Sequence, residues 1–226
     1  MDSYIFAPPV YPAVPVLATP ALFPVRRILC VGRNYAAHAR EMGGDERDPP
    51  FFFAKPADAV VVPGEAVPYP TRTADLHHEV ELVVALNRAG EDIDPTVALD
   101  LVFGYAVGVD LTRRDLQGAA KAKGQPWESG KGFDCSAPVS AIRPWTGAAP
   151  TGAITLTVNG EMRQSGRIED MIWSVAEVIA EASKLWRLAP GDLIFTGTPE
   201  GVGPMVRGDR VVGEVEGVGA LDFTIA

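Results

Sequence analysis

Many short extended segments separated by turn residues, with only a few helical stretches among them, predict an α+β or mostly β fold. Three observations carry this expectation. Apolar runs of strand length recur, as in HHEVELVVAL and VFGYAVGVDL. ITLTVNGEMRQSG reads as a hairpin, and helical periodicity is confined to isolated stretches such as SVAEVIAEASKLWRL.

Taken in order, residues 1–25 are rich in proline and β-branched side chains, which predicts an extended arm ahead of one domain spanning 26–226. RRILCVG is an apolar strand running into Gly32, and a short helical stretch from about Tyr35 stops at Gly43-Gly44. Residues 44–50 form a polar loop. FFFAKPADAVVVPGEAVPYP gives two short extended segments, divided by Pro56 and the Pro63-Gly64 turn signal. HHEVELVVAL alternates and then becomes continuously apolar, as a strand does when it starts at the surface and enters the core. Asp94 or Pro95 starts a short helix through Leu101, VFGYAVGVDL is a buried strand delivering Asp110 at its end, and residues 114–123 are helical. Asn159-Gly160 is the hairpin turn. Val175, Val178, Ile179, Ala182 and Leu185 share a helix face, Ala189-Pro190-Gly191-Asp192 stops that helix, and LIFTG and DRVVGEVEGVGALDFTI supply the closing strands.

A chain of 226 residues with 47% hydrophobic and 22% charged residues can bury a sizeable core and is neither largely disordered nor a coiled coil. Its 20 Lys and Arg against 29 Asp and Glu leave a net charge of −9, which disfavours a nucleic-acid partner. The two cysteines, Cys30 and Cys135, show no CxxC or Cys/His spacing, so a reduced cytoplasmic setting is expected in place of a disulfide framework or zinc ribbon. The proline-broken N-terminus resembles no signal peptide, and no run approaches the ~18 apolar residues of a membrane span.

Glu79 and Glu81 flank Val80 on a predicted strand, so both carboxylates project from one side and repel each other. A solvated strand end tolerates such a pair, and so does a bound cation; Asp110, a third carboxylate at a strand end, points to the cation. An all-oxygen set suits Mg²⁺ or Mn²⁺, with Ca²⁺ also acceptable, better than Zn²⁺. His38 and Glu41 lie three apart on a helical stretch, either as an ordinary ion pair or as a carboxylate-oriented base for water activation. His77 and His78 face opposite ways on a strand, cannot line one site together, and are not expected as ligands. Arg114 and Gln117, one helical turn apart, could hold a carboxylate or ketone, although a solvated helix face explains them almost as well. Lys131 stands between glycines, where an ammonium could stabilise an oxyanion, and Thr198 lies in GTPEGVG, which could offer backbone N–H groups and a hydroxyl to an anion.

Six segments in this order, GRNYAAHAREM, LHHEVELVV, GYAVGVDLTRRDLQ, KGQPWESGKGFD, VNGEMRQ and GDLIFTGTPEGVG, resemble the fumarylacetoacetate hydrolase superfamily from about Ile28 onward. The chain is most similar to its small acylpyruvase branch, and FFFAKPADAVV with GKGFD looks like bacterial fumarylpyruvate hydrolases. The resemblance implies a mixed β-sandwich roll with a few short helices and a divalent metal held by Glu79, Glu81 and Asp110. It also implies a catalytic His38–Glu41 dyad with Lys131, substrate contacts from Arg114, Gln117 and Thr198, and a homodimer. The implied reaction is metal-dependent cleavage of the C–C bond of a 2,4-dioxo acid, with fumarylpyruvate giving fumarate and pyruvate in aromatic catabolism. Oxaloacetate decarboxylation, or tautomerisation of a related dioxo acid, is the alternative at the same site.

Overall fold

The computed structural model describes residues 4–35 and 49–226. The chain runs through β1 (Ala13–Pro15), β2 (Leu22–Pro24), β3 (Arg27–Gly32), β4 (Phe51–Lys55), β5 (Val60–Val61), β6 (Leu76–His78), β7 (Val80–Leu86), β8 (Val102–Val109) and β9 (Thr112–Arg113). Helices α1 (Arg114–Ala122) and α2 (Glu128–Lys131) follow, then β10 (Ala137–Pro138), β11 (Arg143–Pro144), β12 (Ala153–Val158) and β13 (Glu161–Arg167). After α3 (Val175–Leu185) come β14 (Asp192–Phe195), β15 (Gly203–Met205), β16 (Arg210–Val215) and β17 (Gly219–Thr224).

A six-stranded mixed sheet, ordered β11-β8-β7-β14-β3-β4, forms the middle of the molecule; β14 and β3 run parallel and the other neighbours antiparallel. Every residue of β7 is buried because alternate side chains enter different cores. Leu82, Val84 and Leu86 pack with Leu156 and Leu221 of the four-stranded antiparallel sheet β13-β12-β16-β17, and with Val178 and Ile179 of α3. Val83 and Ala85 face the other way and share a second core with Val14, Phe23 and Val25. The architecture is thus the α+β sandwich of mixed sheets with short helices that the sequence leads one to expect.

Residues 13–25 of the proline-rich segment are built into this second core, with β1 and β2 paired as a hairpin and Val14, Val16, Phe23 and Val25 buried. Pro15 and Pro24 are tolerated there because a two-stranded ribbon has no inner ladder to break. Ahead of them Tyr4, Ile5, Phe6, Val10 and Tyr11 are exposed. The helix expected from Asp94 or Pro95 shrinks to one 3-10 turn, Ala98–Leu101. The Asp94 carboxylate accepts from the Thr96 N–H at 2.8 Å and its hydroxyl at 2.6 Å, a local turn that competes with helix initiation. The hairpin turn falls on Asn159 and Gly160, both left-handed at φ 53° and 83°, and α3 opens with a Ser174–Glu177 capping box. The expected helical stretch after Tyr35 lies outside the described residues, as does most of the loop at 44–50.

The parallel junction of β14 and β3 is pinned by Asp192, which stands opposite Arg27 in the register. Its fully buried carboxylate accepts from Arg27 Nε and Nη2 at 3.1 and 2.9 Å, from Arg26 Nη1 at 2.9 Å and from the Ala189 N–H at 2.9 Å. Asp192→Ala is expected to lower unfolding stability by about 2 kcal/mol, because it leaves the Ala189 N–H without its acceptor and removes the shared partner of two partly exposed guanidinium groups. Urea denaturation checks this; a loss under about 1 kcal/mol would place the pair among weak surface bridges.

Candidate metal centre and substrate cleft

β7 and β8 are antiparallel neighbours with Val80 opposite Val109 and Glu81 opposite Gly108, so the start of one strand meets the end of the other. Glu79, at the break between β6 and β7, is locked to that end by the Asp110 N–H, which donates to the Glu79 carbonyl at 2.8 Å. One oxygen each of Glu79, Glu81 and Asp110 therefore lies within 4.8 Å of the others, in a site where the three residues are at most 5% exposed.

Three buried negative charges so close together require counter-charge. Lys131 Nζ, carried by α2, lies 2.8 Å from Glu79 Oε2 and 2.5 Å from Asp110 Oδ2. Burial opposes its charge, and the Asp110 and Glu79 carboxylates outweigh that, holding its pKa above the usual lysine range. Lys55, at the end of β4, places Nζ 2.8 Å from Asp110 Oδ1 and donates to the Leu111 carbonyl at 3.1 Å and to the Lys131 carbonyl. Arg114 Nη2 lies 2.5 Å from Glu79 Oε1.

Glu81 differs from its neighbours. Its carboxylate accepts from the Gly197 N–H at 2.7 Å, and among the described residues no ammonium or guanidinium pairs with it. Burial, then repulsion from Asp110 and Glu79, pushes its pKa well above the ordinary carboxylate range. Among the described residues Asp110 Oδ1 has no aligned hydrogen-bond donor even though Lys55 Nζ is near, so it keeps acceptor capacity. Three clustered carboxylates, one without a counter-ion among the described residues and one with a spare lone pair, fit an oxygen-preferring divalent cation.

The three-stranded sheet β15-β6-β9 stands at the same end and aims α1 at this cluster, the Arg114 N–H donating to the Asp75 carbonyl at 2.8 Å. Arg114 Nη1 donates to Gln117 Oε1 at 2.6 Å, which leaves the Gln117 amide nitrogen to donate elsewhere. Arg114, Gln117, Lys131 and Thr198 line one cleft with the three carboxylates, walled by Phe53, Trp127 and Arg33. His77 is held by Asp75 at 2.8 Å and His78 by Gln164 at 2.9 Å, so both are engaged outside the carboxylate cluster. His38 and Glu41 lie outside the described residues.

Two side chains of this region escape the sequence reading. Lys55 offers one signal, a lone charge closing the apolar run FFFAK. Gln164 offers none, because β13 is otherwise a polar, exposed return strand.

The model of the fumarylacetoacetate (FAA) hydrolase C-terminal family matches residues 27–226. A fumarylpyruvate hydrolase from Ralstonia sp is 45% identical over 176 residues, 77% of this chain and 92% of that protein. The mitochondrial oxaloacetate tautomerase of Mus musculus is 43% identical over 202 residues, 88% of this chain and 91% of that one. Among solved structures, a fumarylpyruvate hydrolase from Pseudomonas aeruginosa, in complex with Mn²⁺ and pyruvate, superposes with a TM-score of 0.95 at 49% identity, covering 99% of each chain.

The asymmetry between the carboxylates predicts opposite outcomes for two substitutions. Glu81→Gln should weaken Mn²⁺ binding by at least about tenfold while leaving the metal-free protein equally or more heat-stable, since burial and the neighbouring carboxylates already disfavour the ionised form of this side chain. Lys131→Met should destabilise the metal-free protein by about 3 kcal/mol, because it uncovers two carboxylates. Calorimetric titration and thermal melts of both variants check the pair.

Proposed function

The chain belongs to the fumarylacetoacetate hydrolase family, and from that premise we propose that it is a divalent-metal-dependent acylpyruvate hydrolase cleaving fumarylpyruvate to fumarate and pyruvate. The carrying observation is the buried Glu79–Glu81–Asp110 cluster opening into a cleft lined by Arg114, Gln117, Lys131 and Thr198. Likeness to fumarylpyruvate hydrolases from two bacteria supports the substrate.

In this reading Glu79, Glu81 and Asp110 hold Mn²⁺ or Mg²⁺, with Ca²⁺ as a third candidate. When bound, the cation supplies Lewis-acid polarisation of the substrate's carboxylate and 2-oxo oxygens. Thr198 donates to the substrate carboxylate, and the amide N–H groups of Gln117, with Arg114 behind them, donate to the oxyanion that develops at C4. His38, oriented by Glu41, takes a proton from the water that attacks the C4 carbonyl. Scission of the C3–C4 bond releases fumarate and a three-carbon enolate, whose negative charge Lys131 faces until C3 is protonated. Residues 26–226 act as the catalytic domain; of residues 1–25, the β1–β2 hairpin packs on that domain and the exposed stretch ahead of it acts as the arm. The protein works as a cytoplasmic homodimer in aromatic catabolism of the gentisate type; no described helix is long and apolar enough to cross a membrane.

A second reading has a specific observation behind it, the 43% identity to an oxaloacetate tautomerase. Tautomerisation or decarboxylation of oxaloacetate would use the same cluster but no attacking water.

Loss of the enol absorbance of fumarylpyruvate, acetylpyruvate and maleylpyruvate, with pyruvate assayed in parallel, separates the two. Fumarylpyruvate cleavage should require Mn²⁺ or Mg²⁺ and fall by about a hundredfold or more in His38→Ala. If none of the three is cleaved while oxaloacetate is consumed, with His38→Ala retaining that activity, the hydrolase reading is wrong.

A further inference from the structure

Gln164 connects the carboxylate end of the fold to the loop that carries Thr198. It is fully buried although Met162, Arg163 and Ser165 around it are exposed. Its Oε1 accepts from the Val80 N–H at 3.0 Å and from His78 Nδ1 at 2.9 Å. Its Nε2 donates to Thr198 Oγ1 at 2.8 Å and to the Pro199 carbonyl at 2.9 Å. A backbone N–H can only donate and a carbonyl can only accept, so the two ends of this amide cannot be exchanged.

That assignment decides the direction of the Thr198 hydroxyl. Its oxygen receives the Gln164 proton, so its own O–H must donate elsewhere, and among the described residues it donates to no protein acceptor. Thr198 lines the cleft beside the carboxylate cluster, where an incoming anion is the available acceptor. The spacing between strand and loop is held by backbone contact. A Cβ on Gly201, left-handed at φ +91°, would come within 2.2 Å of the Arg163 carbonyl oxygen, so the loop rests directly on β13.

We propose that Gln164 is a positioning residue that fixes Thr198 as an outward hydrogen-bond donor to the carboxylate of a 2-oxo acid. The same amide ties the Thr198 loop to Val80, between Glu79 and Glu81, so the carboxylate donor and the metal ligands share one anchor. The identity of the ligand rests on the acylpyruvate reading; the direction of the hydroxyl does not.

Three variants test it. Thr198→Val removes the donor, Gln164→Met removes its director, and Gln164→Glu replaces the donating end with an acceptor toward which the Thr198 O–H turns back. Each should raise the KM for fumarylpyruvate, and the Kd for pyruvate on the Mn²⁺-loaded protein, by about tenfold or more, with a smaller change in kcat. On a Thr198→Val background Gln164→Met should add no more than about twofold, whereas a merely structural glutamine would multiply the two losses. Unchanged pyruvate affinity in Thr198→Val or Gln164→Glu, or multiplying effects in the double variant, overturns the proposal. Should Gln164→Met not fold, Gln164→Glu carries the comparison. Failure of the protein to cleave any acylpyruvate overturns the hydrolase reading alone, because the pyruvate titrations still decide the Gln164–Thr198 pair. Absence of pyruvate binding by the unsubstituted Mn²⁺-loaded protein overturns the Gln164–Thr198 proposal, while the hydrolase reading stands or falls on cleavage.

Discussion

Holding three carboxylates within 4.8 Å of one another at a dry strand end costs free energy that packing does not recover, and the surrounding structure is arranged around that cost. Lys131 bridges Glu79 and Asp110, Lys55 reaches Asp110 from the end of β4, and Arg114 caps Glu79. Those cations come from β4, α1 and α2, so each of these elements is fixed in place by the same cluster. Among the described residues Glu81 has one backbone donor and no cation, which makes the site electrostatically incomplete in the direction that a divalent cation completes.

Antiparallel pairing of β7 with β8 is what makes this cluster readable from sequence. Glu79 and Glu81 flank one residue, Asp110 follows a run of apolar residues, and strand alternation sends these carboxylates to one end. Arg114 and Gln117 are legible by helical spacing, and the hydrogen bond between them follows from it. Gln164 is not legible, because burial of one polar side chain on an otherwise exposed strand is imposed by the loop packed on it and leaves no periodic trace. The insertion of β14 between β7 and β3 is likewise absent from any local pattern, since it pairs segments more than a hundred residues apart. The short turn at Ala98–Leu101 departs from the expected helix because Asp94 spends its carboxylate on Thr96.

In the proposed reading, holding the metal and holding the substrate fall to different parts of the chain. The carboxylates sit on and beside strands buried between two cores, where side-chain position is over-determined, while the polar groups proposed to meet the substrate line the cleft from α1 and from the Thr198 loop. Buried amides link the two sets, with Gln117 turned by Arg114 and Thr198 turned by Gln164. A rigid floor with hydrogen-bond directions already chosen reduces the reorganisation needed as charge develops on the substrate.

Anomalous diffraction at the manganese edge from crystals grown with Mn²⁺ tests the central claim most directly. The account predicts one strong peak coordinated by carboxylate oxygens of Glu79, Glu81 and Asp110, at oxygen distances of about 2.0–2.3 Å, with Lys55 and Lys131 remaining as counter-charges. A peak elsewhere, or none at millimolar Mn²⁺, would contradict it and leave the three carboxylates balanced by lysine and arginine alone.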